Sequence, residues 1–119
     1  MKITVSAKGE QLDSAVDPRF GRAAQFILYD TETASYETIS NEQSLEAAQG
    51  AGIKAAETIS RLGAQVLITG HCGPKAFRAL SAAGVRICSG AGGTVAEAIA
   101  AFEVGRLVPA SGADVDGHW

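Results

Sequence analysis

Long apolar runs, paired cysteines, aromatic residues and excess basic charge are all scarce in this 119-residue chain. Each scarcity closes off a class of protein. No apolar stretch approaches the ~18 residues of a membrane-spanning helix, so no membrane association is expected. The two cysteines, Cys72 and Cys88, form no C-x-x-C pair, which is neither a disulfide framework nor zinc-ribbon spacing; in a reducing cytosol they are expected as free thiols. A net charge of −3 argues against wholesale nucleic-acid binding. With only 6% aromatics there is little material for a base-stacking surface. Met1 to Val5 enters a strand pattern directly, so the expectation is a cytoplasmic chain without a signal peptide. What is present, 46% hydrophobic and 19% charged residues, is the composition of one globular domain large enough for a real core.

The apolar residues alternate or recur at recognisable periods. Lys2 to Ser6, Phe26 to Asp30, Tyr36 to Ser40, Val66 to Ile68 and Val85 to Cys88 read as strands, the second and third forming a hairpin across Thr31 to Ser35, with Tyr36 to Ile39 as an antiparallel edge. Gly50-Ala51-Gly52 reads as a break before a helix from Ile53, stopped by Gly63; the polar stretch Asn41 to Gln49 reads as loop or frayed turn. Ala76, Phe77, Ala79, Leu80 and Ala83 mark a second helix, and Val95, Ala98, Ile99 and Phe102 a third. Thr94 with Glu97 three residues on makes a capping box for the third. Strands alternating with helices imply a largely parallel sheet covered on both faces, with Val66 to Ile68 expected at its centre. Residues 1–108 are expected to form the domain and residues 109–119, with Asp114, Asp116 and His118, a mobile tail.

Two stretches carry the chemistry. Thr69-Gly70-His71-Cys72-Gly73-Pro74-Lys75 lies where a strand ends and a helix begins, with Pro74 suited to the first helical position. In an open α/β sheet that is where ligands bind, and the free N–H groups of a helix start attract anions. Cys72 beside a helix N-terminus, His71 and Lys75 is biased toward thiolate and is expected to be accessible, whereas Cys88 ends a strand and reads as a small buried hydrophobe. The second stretch is Asp17-Pro18-Arg19-Phe20-Gly21-Arg22. Pro18 and Gly21 restrain it, so Arg19 and Arg22 read either as solvated loop charges or as contacts to an anion. Ser89-Gly90-Ala91-Gly92-Gly93 looks like a phosphate loop but lacks the Gly-Lys-Ser/Thr ending; it reads as a flexible loop able to fold over the site.

These stretches carry a resemblance. Asp17-Pro18-Arg19-Phe20-Gly21-Arg22-Ala23, Gly50-Ala51-Gly52-Ile53, Gly70-His71-Cys72-Gly73-Pro74-Lys75-Ala76-Phe77 and Thr94-Val95-Ala96-Glu97-Ala98-Ile99 are similar to the motifs of the dinitrogenase iron–molybdenum cofactor biosynthesis family, over Met1 to about Val108. That family includes nitrogenase cofactor carriers and small relatives of the orange protein. The resemblance implies a three-layer, ribonuclease H-like α/β fold with a mixed five-stranded sheet and helices on both faces. It also implies binding of an anionic molybdenum- or iron-containing sulfur cluster rather than catalysis. Arg19, Phe20, Arg22, His71, Cys72, Gly73, Pro74 and Lys75 would line the site, with Cys72 and His71 as possible direct metal ligands. Some cluster-binding relatives have no cysteine in this turn, so a cradle of arginines and backbone amides stands beside direct ligation. One cysteine cannot hold an ordinary four-cysteine cluster, so the cargo would be labile or shared between subunits.

The implied partners are the metallocofactor cluster and the donor or acceptor proteins of its assembly, with the chain a monomer or weak homodimer. Two other readings stand beside the carrier. One is a cofactor-free regulatory or protein-interaction module of the same fold. The other is an enzyme with Cys72 as nucleophile and His71 as base, which adjacency disfavours because neighbouring side chains point apart.

Overall fold

The computed structural model describes residues 1–41 and 50–110. Five strands form one sheet: β1 (Lys2–Ala7), β2 (Gln25–Asp30), β3 (Tyr36–Ser40), β4 (Val66–Ile68) and β5 (Arg86–Cys88). Among the described residues three helices accompany them: α1 (Ala51–Arg61), α2 (Pro74–Ala82) and α3 (Val95–Glu103). The spatial order is β3-β2-β1-β4-β5. β1 pairs antiparallel with β2 and parallel with β4, β2 pairs antiparallel with β3, and β4 pairs parallel with β5. This is the expected mixed five-stranded α/β architecture, consistent with a ribonuclease H-like arrangement.

Strand side chains alternate between the two faces of the sheet, and β1, β2, β4 and β5 bury residues on both, whereas the edge strand β3 buries none. Phe26, Leu28, Leu67 and Ile87 meet Ala55, Ala56 and Ile59 of α1 and Ala76 and Leu80 of α2 in one cluster. Ile3, Val5, Ile27, Val66, Ile68 and Cys88 meet Val95, Ala98 and Ile99 of α3 in the other. Helices therefore cover both faces. The short apolar strands Val66–Ile68 and Ile87–Cys88 need this double cover, since apolar residues point to both sides.

The structure corrects three expectations. The central strand is β1 rather than Val66–Ile68, which is flanked by β1 and β5; strand order depends on crossovers that local pattern does not encode. The first helix begins at Ala51, so Gly52 lies in its first turn rather than in a break. The start of this helix packs on the arginine loop: a Cβ on Gly21 would lie 2.8 Å from Gly52 N and 2.9 Å from its Cα, so the close approach of the two backbones requires glycine at position 21. The loop after β5 is tied down rather than free to fold over the site. Gly90 N–H donates to Gly70 C=O, Ala91 N–H to Thr69 C=O, and Gly93 C=O accepts from Val16 N–H.

Ala110 N–H donates to Ile87 C=O, holding the chain beside β5 as far as residue 110. The remainder of the expected tail, and the stretch 42–49 read as loop, lie outside the described residues. Among the described residues no helix is long and apolar enough to cross a membrane.

Candidate functional site

β1, β4 and β5 run parallel, so the segments that follow them emerge at one end of the sheet. The loop after β1 carries Arg19 and Arg22, the turn after β4 carries His71 to Pro74, and the loop after β5 is bonded to both regions. The arginine loop and the turn are joined directly. Arg19 and His71 form an isolated parallel bridge, in which His71 N–H donates to Pro18 C=O at 2.7 Å and Phe20 N–H to His71 C=O at 3.3 Å. Gly70 permits the approach, because a Cβ there would lie 2.6 Å from Pro18 Cα. Asp17, itself buried, accepts the Arg19 N–H at Oδ1 (3.0 Å) and fixes the start of the loop.

The three helices begin differently. α3 has the full capping box foreseen in the sequence, with Thr94 and Glu97 bonding each other's backbone. That pairing lowers the Glu97 pKa, chiefly through the Thr94 backbone hydrogen bond and then its side chain. α1 and α2 start at Gly50 and Gly73, with no side-chain cap and no acidic residue in the first turn. Pro74 stands at the start of α2, as expected. A helix start without a carboxylate keeps its positive dipole end available to an external anion. Both starts meet the arginine loop, α2 through the His71 bridge and α1 through the Gly21–Gly52 approach.

The expected site residues divide by orientation. Arg19 and Lys75 are exposed, and Arg22, His71 and Pro74 are half-buried. Gly73 is the buried N-cap of α2. Phe20 is fully buried, its ring 5.4 Å from that of Phe26, and anchors the loop in the core. Cys72 also contradicts an expectation: its side chain is 0% exposed within the cluster under α1 and α2, and its thiol donates to Gly73 C=O at 3.7 Å. The turn's backbone is at the site while its sulfur is in the core, in the same buried cluster as Phe20, Ala76 and Leu80. Cys88 is buried as expected, and burial raises its thiol pKa against the opposing field of Arg86. Among the described residues no three His, Cys, Asp or Glu side chains are grouped to hold a metal ion.

Sequence reasoning missed the buried hydroxyls behind this surface. Ser6 Oγ lies 2.8 Å from both Asp17 C=O and Thr69 Oγ1, and both side chains are 0% exposed. Thr4 and Ser6 alternate with Ile3 and Val5, which reads as a solvent face; the signal lies in the apolar runs of β4 and β5, which require both faces to be covered.

Fold and site together define a small α/β protein that presents backbone amides and arginines at one end of its sheet. Residues 1–105 match the family described as dinitrogenase iron-molybdenum cofactor, and the chain belongs to that family. The apo form of the orange protein from Desulfovibrio gigas is 43% identical, with a TM-score of 0.94 over 96% of each chain. A Thermotoga protein of the DUF35 family, provisionally named as a NifB protein, is 38% identical with a TM-score of 0.84 over 98% of each chain. A protein from Methanocaldococcus jannaschii, provisionally named a dinitrogenase, shares the fold at 18% identity and a TM-score of 0.70, over 94% of this chain and 96% of that one. No curated protein matches.

Proposed function

We propose that this chain is a non-catalytic carrier or assembly accessory for an anionic molybdenum- or iron-containing sulfur cluster. The cargo would sit between the arginine loop and the first turn of α2. The observation that carries this reading is the Arg19–His71 bridge, which joins the two stretches into one surface. Arginine forks and helix-start amides bind delocalised anions through charge-assisted hydrogen bonds. Family membership supports a cargo of this class.

Burial of Cys72 favours a cradle over direct sulfur ligation, since a ligating thiolate would have to vacate a fully enclosed position. His71, half-buried at the turn, is the residue of the proposed pair better placed to reach a metal. The same burial counts against Cys72 as an enzymatic nucleophile, because the thiolate must meet its substrate. The expected surroundings are cytoplasmic, with donor or acceptor proteins of cluster assembly as partners. The alternative, a cofactor-free regulatory or interaction module, also draws on the burial of Cys72.

The test is untagged, anoxic purification with measurement of Mo, Fe and Cu, followed by titration with tetrathiomolybdate. Co-purifying metal or saturable uptake supports the carrier; neither metal nor uptake supports the cofactor-free module. Cys72→Ser separates the two binding modes. A cradle predicts most uptake retained, and direct ligation predicts near-complete loss, because a hydroxyl is a hard substitute for thiolate.

A further inference from the structure

The arginine loop hangs from a peptide unit with a single hydrogen-bonding handle. Pro18 has no N–H, so the Asp17–Pro18 amide offers only the Asp17 carbonyl. Ser6 Oγ lies 2.8 Å from that carbonyl and 2.8 Å from Thr69 Oγ1. A serine hydroxyl has one proton to give. Both contacts are satisfied when Thr69 donates to Ser6 and Ser6 donates to the Asp17 carbonyl. Asp17 N–H returns to Ser6 C=O at 2.8 Å, so residue 17 is held to residue 6 from both sides.

Thr69 sits at a junction. Its N–H donates to Cys88 C=O and its C=O accepts from Ala91 N–H, while its side chain meets Ser6. The segments leaving β1, β4 and β5 are therefore all tied at this point. The next carbonyl along the loop, that of Pro18, receives His71 N–H, and Asp17 Oδ1 receives Arg19 N–H. Orientation passes from the hydroxyl pair to the Asp17–Pro18 plane, then to Arg19 and the start of α2.

We propose that Ser6 and Thr69 are positioning residues for the cargo site, their hydroxyl pair setting the arginine loop over the α2 start. This rests on the carrier reading above. Both side chains are 0% exposed. Buried hydroxyls are costly unless bonded, and a fully bonded pair specifies one arrangement where an apolar contact would allow several.

The experiment compares wild type, Ser6→Ala, Thr69→Val and Thr69→Ser by tetrathiomolybdate titration, thermal melting and amide hydrogen exchange. Ser6→Ala and Thr69→Val should weaken binding roughly tenfold at temperatures where both remain folded, as expected for the loss of one or two net hydrogen bonds. The Arg19 and His71 amides should exchange about tenfold faster or more, while those of β1 and β4 keep their relative protection. Thr69→Ser, which keeps the hydroxyl, should restore affinity and protection. Should Ser6→Ala fail to fold, the Thr69→Val and Thr69→Ser pair decides alone. Variants that melt lower yet bind as wild type, with Arg19 and His71 protected, would overturn the positioning role and leave the carrier reading intact. If wild type takes up no thiomolybdate, the carrier reading falls and the positioning role falls with it.

Discussion

Gly70→Ala tests the contact on which the site depends. The new Cβ would lie 2.6 Å from Pro18 Cα and 2.7 Å from Pro18 O. Both are backbone atoms, so no rotamer change relieves the clash. To reach ordinary contact the arginine loop must retreat by most of an ångström, or His71 must. Either movement strains the hydrogen bonds from His71 N–H to Pro18 C=O and from Phe20 N–H to His71 C=O. Losing two net hydrogen bonds costs about 2 kcal/mol, and forcing a methyl into a packed contact about 1–3 kcal/mol more. The sum is about 3–5 kcal/mol, which at about 4 °C per kcal/mol lowers the melting temperature by about 12–20 °C. Gly84→Ala is the control: its φ of +82° carries a strain of about 1–2 kcal/mol, but nothing lies within 4 Å of the added atom and the site is untouched. Circular-dichroism melts and tetrathiomolybdate titration of both variants separate strain from displacement of the loop. A Gly70→Ala protein melting within about 4 °C of wild type, with unchanged affinity, would refute the packing argument.

Replacing Arg19 and Arg22 together by Ala should weaken thiomolybdate binding roughly tenfold or more, since a hydrogen bond to a charged group is worth about 1.5–3 kcal/mol; unchanged affinity would remove both from the site. Neither cysteine of the native protein should react readily with an alkylating agent, because Cys72 and Cys88 are both buried; mass mapping that finds fast labelling of either thiol contradicts the enclosed core. The raised pKa of Cys88 favours its neutral thiol in the fold. The stability this contributes is complete below the unfolded thiol's value and is lost as pH rises above about 9 through the native value, so the urea midpoint should fall between mildly and strongly alkaline pH, less so in Cys88→Ala. Glu97 behaves oppositely: its lowered pKa gives stability present above the unfolded value and lost as pH falls through the native one. Thr94→Ala, which removes the cap at a cost of about 1 kcal/mol, should flatten that acid dependence in denaturation curves.

The sequence by itself determined what depends on neighbouring residues. Alternation placed the strands within a residue or two, helical spacing placed the second and third helices, and Thr94 with Glu97 marked the start of α3, because each signal lies within one turn or one pleat. The glycine-flanked turn at His71 and the restrained arginine loop were legible as site candidates for the same reason. Tertiary structure decided the rest. β1 became the central strand through crossovers that leave no local mark. Gly52 lies in a helix against its own propensity, and its backbone meets that of Gly21 so closely that position 21 has no room for a side chain. Cys72 read as an exposed thiol from its polar neighbours, yet its side chain turned inward, into a cluster that also draws residues from distant positions such as Phe20, Leu28 and Ile59. Ser6 and Thr69 became partners across 63 residues only when β1 and β4 were aligned in parallel. Local chemistry is written in adjacent residues, whereas the direction in which a side chain faces is settled by what the folded chain brings against it.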